Sequence, residues 1–405
     1  MNNRRAKWWP WIGFIIALAM HLWRLGLPAA IVSDEVYFVK DAERYQTHQA
    51  YLDAHPPLGK LQIAAAIKVI GDRPWAWRIV NAIEGALLVP LLWWLGWLLT
   101  GRRRVAALAM ILGLVDGFIL VESRLGLINI PYILYAFTAL GCVLTALKSS
   151  RPWGWLLAAG AMIGAALSVK WLAIPVLIPT VALWIWPAWF GQRKHDRQPR
   201  WSNGLAAGCF AVLPPLIYYL VFKVHFAWLH LPPDFWALNA QILNYHLSVP
   251  STGDPNAQPW WGWLLAWKPF PYWIDVRDQG FSSIRSLPNV WIWWTGALVL
   301  LYSLWRGWRD GVTRFLNVAL LCTWIPFMFI QRVMYSYHAI PFGVLLTMLT
   351  AVYLGKLWPH HKKLVIGYLT MAVLVFVFFA PWYFNIPLSP QQTHWREWLP
   401  SWRFE

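Results

Sequence analysis

Asp34-Glu35 stands just beyond the first long apolar segment, and twenty residues later the chain reads Ala54-His55-Pro56-Pro57-Leu58-Gly59-Lys60. In a chain with only 17 acidic residues among 405, two adjacent carboxylates at a membrane surface mark a candidate general base. Four cations supply the complementary half: Arg78, Arg124 in Val121-Glu122-Ser123-Arg124, Lys170 in Ser168-Val169-Lys170-Trp171, and Arg332 in Gln331-Arg332-Val333. Each sits at the end of an apolar span, where a cation is costly and normally has a partner. Four of them on one face point to an anion at headgroup level, and a lipid phosphate fits. If a hydroxyl attacks a sugar carried on that phosphate, one carboxylate takes the hydroxyl proton while the cations stabilise charge growing on the leaving group. Neighbouring side chains point in different directions, so one carboxylate would be the base and the other would orient it or the acceptor; Asp34 is taken as the base.

Each residue also has a plainer explanation. The cations can snorkel, or pair with Asp116, Glu84 and Glu122. Asp34 can cap a helix that begins at Glu35. The His55-Pro56-Pro57 kink with Gly59 and Lys60 reads as a loop-to-helix junction or, beside a carboxylate pair, as a fixed wall of a site.

The elements that must position these groups are membrane spans. The chain is 59% hydrophobic and 13% charged, with mean hydropathy +0.45, a composition that excludes a soluble globular domain. The net charge of +17 does not indicate nucleic acid, because the basic residues cluster between apolar runs rather than on one amphipathic face. Most of the 34 tryptophans suit the headgroup level. Cys142, Cys209 and Cys322 lie singly in apolar runs without metal-ligand spacing. The first apolar run follows Arg4, Arg5 and Lys7, lacks a small-residue cleavage site and reads as an uncleaved anchor.

Apolar length places spans near 10–27, 79–100, 105–121, 128–147, 154–169, 171–189, 203–222, 289–305, 315–330, 338–354 and 364–384, about eleven crossings of an all-α polytopic membrane protein. With the N-terminus inside, every inner loop is basic: Arg102 to Arg104, Lys148 to Arg151, Arg193 to Arg200, Arg306 to Arg314 and Lys356 to Lys363, as cytoplasmic loops are. The outer side receives two long segments, 28–78 and 223–288. In the first, Val36, Val39, Ala42 and Tyr45 form one helical stripe suited to the membrane surface. In the second, Pro259 to Trp267 is apolar enough to dip into the interface. No separate soluble domain or repeat is visible, so 1–405 reads as one transmembrane domain.

At this point the residues resemble a family, the protein O-mannosyltransferases, which are GT-C membrane glycosyltransferases that use a polyprenyl-phosphate sugar. The similarity runs through Asp34-Glu35, His55 to Lys60, Arg78-Ile-Val-Asn-Ala-Ile-Glu-Gly85, Asp116-Gly117, Glu122-Ser-Arg124 and Ser168-Val-Lys-Trp171, then through Asn244-Tyr-His246, Trp260-Trp261 and Tyr335-Ser-Tyr-His338. The resemblance implies a hexosyltransferase with a GT-C fold and Asp34 as catalytic carboxylate beside Glu35. It implies donor phosphate binding by Arg78, Arg124 and Lys170, to which the charge argument adds Arg332. His55, Pro56, Pro57, Lys60, Asp116, Glu122, Asn129, His246 and His338 would shape the substrate space. It further implies inversion at the anomeric carbon and neither metal nor other cofactor. The donor would be a polyprenyl-phosphate sugar, of undecaprenyl type given the compact bacterial form, and the acceptor a protein Ser/Thr, with a glycan or lipid as the other choice. The chain would lie in a bacterial inner membrane with its site facing outward, alone or as a dimer, without nucleic acid.

Two departures stand out. Asn129 occupies a position where the family pattern usually has aspartate, and Ser251-Thr-Gly-Asp-Pro-Asn256 replaces a His-Pro-Tyr element before the paired tryptophans. The rival readings are a GT-C transferase moving a pentose or aminosugar onto lipid A or a wall polymer, and, from another class, a transporter or flippase. The latter would show repeats and midplane helix breaks, whereas here the unusual charges gather at one face.

Overall fold

A computed structural model describes residues 8–51, 54–199, 201–249, 253–277 and 280–403. The expected topology signals Arg4, Arg5, Lys7 and Arg200, and Ser251-Thr252 of the second outer segment, lie outside the described residues. Each of the eleven expected span segments contains a helix. The chain begins with α1 (Trp9–Leu22), crosses the first outer segment as α2 (Glu35–Thr47) and α3 (Leu58–Ile70), and continues as α4 (Pro74–Thr100). Then come α5 (Arg103–Leu114), α6 (Gly117–Ser123), α7 (Asn129–Lys148), α8 (Trp153–Val169) and α9 (Ile174–Ile185). After these follow α10 (Ser202–Ala211), α11 (Leu213–Leu229) and α12 (Phe235–Ser248). The hairpin β1 (Phe270–Arg277) and β2 (Gly280–Ser286) precedes α13 (Val290–Arg306), α14 (Gly311–Trp324), α15 (Ile340–Leu357), α16 (Lys362–Tyr383) and the short α17 (Pro390–His394).

Six described helices are long and apolar enough to cross a bilayer alone, and α5 with α6 makes a seventh if that pair, bent by 57°, is one broken span. Three further apolar helices, at α1, α8 and Trp171–Ile185, are shorter. The α5–α6 break has a local cause: the Asp116 side chain accepts from Phe118 N (2.7 Å) and Ile119 N (3.3 Å), capping a new helix start. Burial sorts the long helices. α7 and α15 are apolar all round and mostly buried inside the protein, whereas α10–α11 and α16 present most of their surface outward, as helices facing lipid do.

The outer segments differ from expectation in two ways. α2 does not lie flat with its stripe on a membrane: Val36 faces out, while Phe38, Val39, Asp41, Ala42 and Tyr45 are buried where α2 packs on α3 and α11. Asp41 tolerates burial because Arg44 Nη1 donates to it at 3.0 Å. In the second outer segment, Phe270–Arg277 and Gly280–Ser286 form the one strand pair among the described residues, antiparallel with Phe270 opposite Ser286. The Trp260–Leu265 turn before it keeps Trp261 exposed but buries Trp263 against Phe327.

Gly59 shows how tightly these parts meet. A Cβ there would lie 2.6 Å from Ile128 Cγ2, so this glycine is required by the close approach of α3 to the start of α7.

Candidate active site

One cavity of about 430 Å³ gathers residues from across the chain, a volume suited to a small ligand. Of the expected site residues, Asp34, His55, Asn129, Lys170, His246, Arg332 and His338 line it. Asp34 comes from the start of α2, Lys170 from the end of α8, His246 from α12, and Arg332 and His338 from the irregular stretch before α15. The rest of the wall is apolar: Leu172, Ile174, Pro175, Leu243, Phe327 and Ile330 contribute, and Ile174, Leu243 and Ile330 are also exposed on the protein surface. The cavity therefore joins a polar, charged end to an apolar side.

Asp34 occupies the cap position of α2, yet its side chain makes no capping hydrogen bond. Burial pushes its carboxyl above the ordinary carboxylate range, opposed by the Lys170 ammonium and by hydrogen bonding to Tyr337, while the nearby Asp254 carboxylate adds to the rise. Burial, reinforced by Arg332 and Lys170, pulls His246 down to about 4, so it is neutral at pH 7 and accepts from Arg332 Nη1 at 2.7 Å. His55 is likewise held well below its usual value, first by burial and then by Lys170. Its Nδ1 and the Nε of Arg332 are buried without a hydrogen-bond partner among the described residues.

Eight other expected residues do not line the cavity. Arg78 is fully buried and uses all five of its N–H donors: Nε and Nη2 on Glu35 (2.7 and 2.8 Å), Nη1 on the carbonyls of Leu25 (3.1 Å) and Pro28 (2.9 Å), and Nη2 also on Ala30 O (3.1 Å). No donor remains for a phosphate. Glu35 is equally committed, accepting from Val32 N (3.0 Å) and Gly126 N (2.7 Å) besides Arg78. Arg124 donates to the carbonyls of Met20 (3.1 Å), His21 (3.0 Å) and Trp23 at the end of α1, where a cation complements the helix dipole. These three residues pin the irregular 23–35 connector, whose carbonyls have no ladder to join. Asp116 caps α6, and buried Lys60 donates to His55 O at 3.0 Å, holding the His-Pro-Pro loop from behind. Pro56 and Pro57 are buried in that loop.

Glu122 lies one layer behind the cavity. It accepts from Tyr272 Oη (2.9 Å), Ser286 Oγ (2.7 Å) and Asn129 Nδ2 (2.9 Å), and Asn129 Oδ1 in turn accepts from Lys170 Nζ (2.9 Å). Residue types alone did not single out Tyr337, Trp171 and Phe38, which also line the cavity. For Trp171 and Tyr337 a signal existed, since each lies inside a motif of the resemblance, Ser168 to Trp171 and Tyr335 to His338; Phe38 becomes a site residue only through tertiary contact. The tryptophans Trp260 and Trp261 do not line the cavity: Trp260 packs on Trp324, with ring centroids 5.1 Å apart. Among the described residues, no three His, Cys, Asp or Glu side chains converge as metal ligands.

The chain is similar to known proteins over most of its length. A family model described as dolichyl-phosphate-mannose-protein mannosyltransferase matches residues 11–75 and 68–230. A polyprenol-phosphate-mannose–protein mannosyltransferase of Corynebacterium glutamicum is 26% identical over 436 residues, covering 87% of this chain and 82% of the relative. In fold, the chain is similar to a Saccharomyces cerevisiae protein O-mannosyltransferase in the Pmt1-Pmt2 complex bound to the sugar donor, with TM-score 0.84 at 13% identity over 100% of this chain and 93% of that one. ArnT from Cupriavidus metallidurans bound to undecaprenyl phosphate gives TM-score 0.63 at 16% identity over 92% and 70%.

Proposed function

We propose, for a chain that belongs to the dolichyl-phosphate-mannose-protein mannosyltransferase family, that it transfers mannose from a polyprenyl-phosphate carrier to a Ser or Thr hydroxyl of a protein, with Asp34 as general base. The observation that carries this reading is the cavity itself, where a carboxylate free of capping duty faces Lys170 and Arg332 beside an apolar wall. The carrier's chain would follow Leu172, Ile174 and Ile330, and its phosphate would sit against Lys170 and Arg332. Relatives named for a polyprenol-phosphate-mannose donor support the sugar.

The step balances without a further reactant. The acceptor hydroxyl gives its proton to Asp34 as its oxygen bonds to the anomeric carbon. The bond from that carbon to the phosphate oxygen breaks on the opposite face, and the electron pair leaves with the polyprenyl phosphate. Lys170 and the unsatisfied Arg332 Nε stabilise the charge that grows there. His55 Nδ1, also unsatisfied, offers the sugar or phosphate a hydrogen bond. Glu35 supports the reaction by fixing the backbone that carries Asp34.

The chain is an integral membrane protein. A bacterial inner membrane with the cavity facing outward is part of this reading: the basic loops support the outward side, with 28–78, Lys170 and 331–337 on one face and the Arg- and Lys-rich turns on the other, and the Corynebacterium glutamicum relative supports the bacterial setting.

Membranes expressing the chain, given polyprenyl-phosphate-[14C]mannose, test this reading. Label in a protease-sensitive product is expected; label in lipid or polymer, or transfer only from another sugar donor, would overturn the acceptor or the sugar.

A further inference from the structure

Lys170 is buried, and the one side-chain hydrogen bond it makes among the described residues goes to a neutral amide, Asn129 Oδ1. A neutral partner does little to offset a buried ammonium. Of the two carboxylates that act on it, Asp34 across the cavity acts more strongly, and the second, Glu122, lies one residue behind the amide. Asn129 Nδ2 donates to Glu122 Oε2, and Glu122 is fully buried, its other oxygen taken by Tyr272 from β1 and Ser286 from β2. The amide has only one workable orientation. Turned over, it would set its carbonyl against a carboxylate and its NH2 against an ammonium.

We propose that Glu122, acting through Asn129, is the positioning residue for Lys170: the carboxylate's charge is relayed through one fixed amide, so that Lys170 keeps two N–H donors for the carrier phosphate. The proposal rests on the reading that Lys170 meets a lipid phosphate. It also explains why the hairpin belongs to the site, since both strands hold the carboxylate that holds the amide.

The relay makes a charge-swap test possible. In Glu122→Gln, the new Oε1 can keep Tyr272 and Ser286, but the new Nε2 faces Asn129 Nδ2. Asn129 must then turn its NH2 toward Lys170. In the double variant Glu122→Gln with Asn129→Asp, the amide introduced at position 122 donates to one oxygen of the carboxylate introduced at position 129, and the other oxygen accepts directly from Lys170. Every hydrogen bond is restored and the charge sits one residue closer.

The experiment measures, on the purified full chain in lipid nanodiscs, the Kd for undecaprenyl phosphate, the KM and kcat with polyprenyl-phosphate-mannose, and the Tm. Glu122→Gln is expected to raise Kd and donor KM by about tenfold, the size of losing a charge-assisted contact, with a smaller change in kcat. The double variant is expected to return both to within about threefold of wild type, since the restored hydrogen bond recovers most of that contact. Should Glu122→Gln not fold, Asn129→Ala, which removes the bridge but leaves Glu122 on the hairpin, is expected to give the same rise. The proposal is overturned if folded Glu122→Gln or Asn129→Ala binds undecaprenyl phosphate like wild type, or if the double variant, at wild-type Tm, is no better than the single. Wild type that binds undecaprenyl phosphate but transfers no mannose would strike the sugar assignment alone.

Discussion

The Glu35 carboxylate and the Arg78 guanidinium meet edge to edge, Oε1 2.7 Å from Nε and Oε2 2.8 Å from Nη2, with neither side chain exposed. Two parallel charge-assisted bonds fix both groups, and the remaining Arg78 donors tie down Leu25, Pro28 and Ala30. The residue directly before Glu35 is Asp34. Its position in the cavity is therefore set by a pair that never touches the cavity.

Breaking that pair should cost folding before it costs chemistry. Arg78→Ala and Glu35→Gln each leave a buried partner uncompensated, and each should destabilise the protein by about 3–5 kcal/mol. Arg78→Lys should rescue little, because one ammonium cannot replace a five-donor fork. Thermal unfolding in detergent checks this; wild-type Tm with lost donor binding would instead mean that Arg78 contacts the phosphate.

The cavity cations should behave in the opposite way. Lys170→Ala and Arg332→Ala remove groups that line the cavity, and each should raise the donor KM by about ten- to a hundredfold, the size of a hydrogen bond to a charged group. Equilibrium binding of undecaprenyl phosphate separates this from a general loss of fold, and an unchanged Kd in both variants would remove the phosphate from this end of the cavity.

Gly59 ties the His-Pro-Pro loop to the helix core. Gly59→Ala puts a methyl group 2.6 Å from Ile128 Cγ2, an overpacking expected to cost about 1–3 kcal/mol. Its effect should also reach turnover, because Lys60 on the same helix holds His55. A variant with unchanged Tm would show that α3 can shift freely.

The pH dependence follows from Asp34. Burial holds its folded pKa above the ordinary carboxylate value, and a base works only when deprotonated, so the transfer rate should fall on acidification at a higher pH than an unperturbed aspartate would give. Stability runs the other way. Because the folded pKa lies above the unfolded one, this carboxyl favours folding most below its unfolded pKa, and that contribution is lost as pH rises through the folded pKa. Asp34→Asn should therefore be at least as heat-stable as wild type at neutral pH. A lower Tm for Asp34→Asn would assign the carboxylate a structural role.

The span pattern was legible because a bilayer imposes long apolar runs and basic inner loops, and a helix lies within every segment those rules marked. Lys170 and Arg332 were legible as cations at the outer ends of spans, and Asp34 as half of an acidic pair in a chain poor in carboxylates. Arg78 and Arg124 obeyed the same rule for a different reason: besides Glu35, the acceptors they satisfy are backbone carbonyls at the end of α1 and in the irregular connector after it, which carry no mark in the sequence. Asp34 reads as a helix cap as readily as a base, and the absence of a capping bond, visible only in three dimensions, takes away the first reading and leaves the second to be tested. The hairpin was hidden because its aromatic strand residues, such as Tyr272 and Trp273, read equally as interfacial anchors. Its role emerged through Tyr272 and Ser286, whose partner Glu122 is more than a hundred residues away in the chain.

The most direct test of the account measures donor affinity and transfer rate on the same preparation of Asp34→Asn. Undecaprenyl phosphate binding is expected to be retained or tightened, since a negative charge has been removed from the cavity, with transfer from polyprenyl-phosphate-mannose reduced by about 10²–10⁴-fold, the usual contribution of a general base. Transfer within a few-fold of wild type would contradict it, and would mean that another group takes the acceptor's proton.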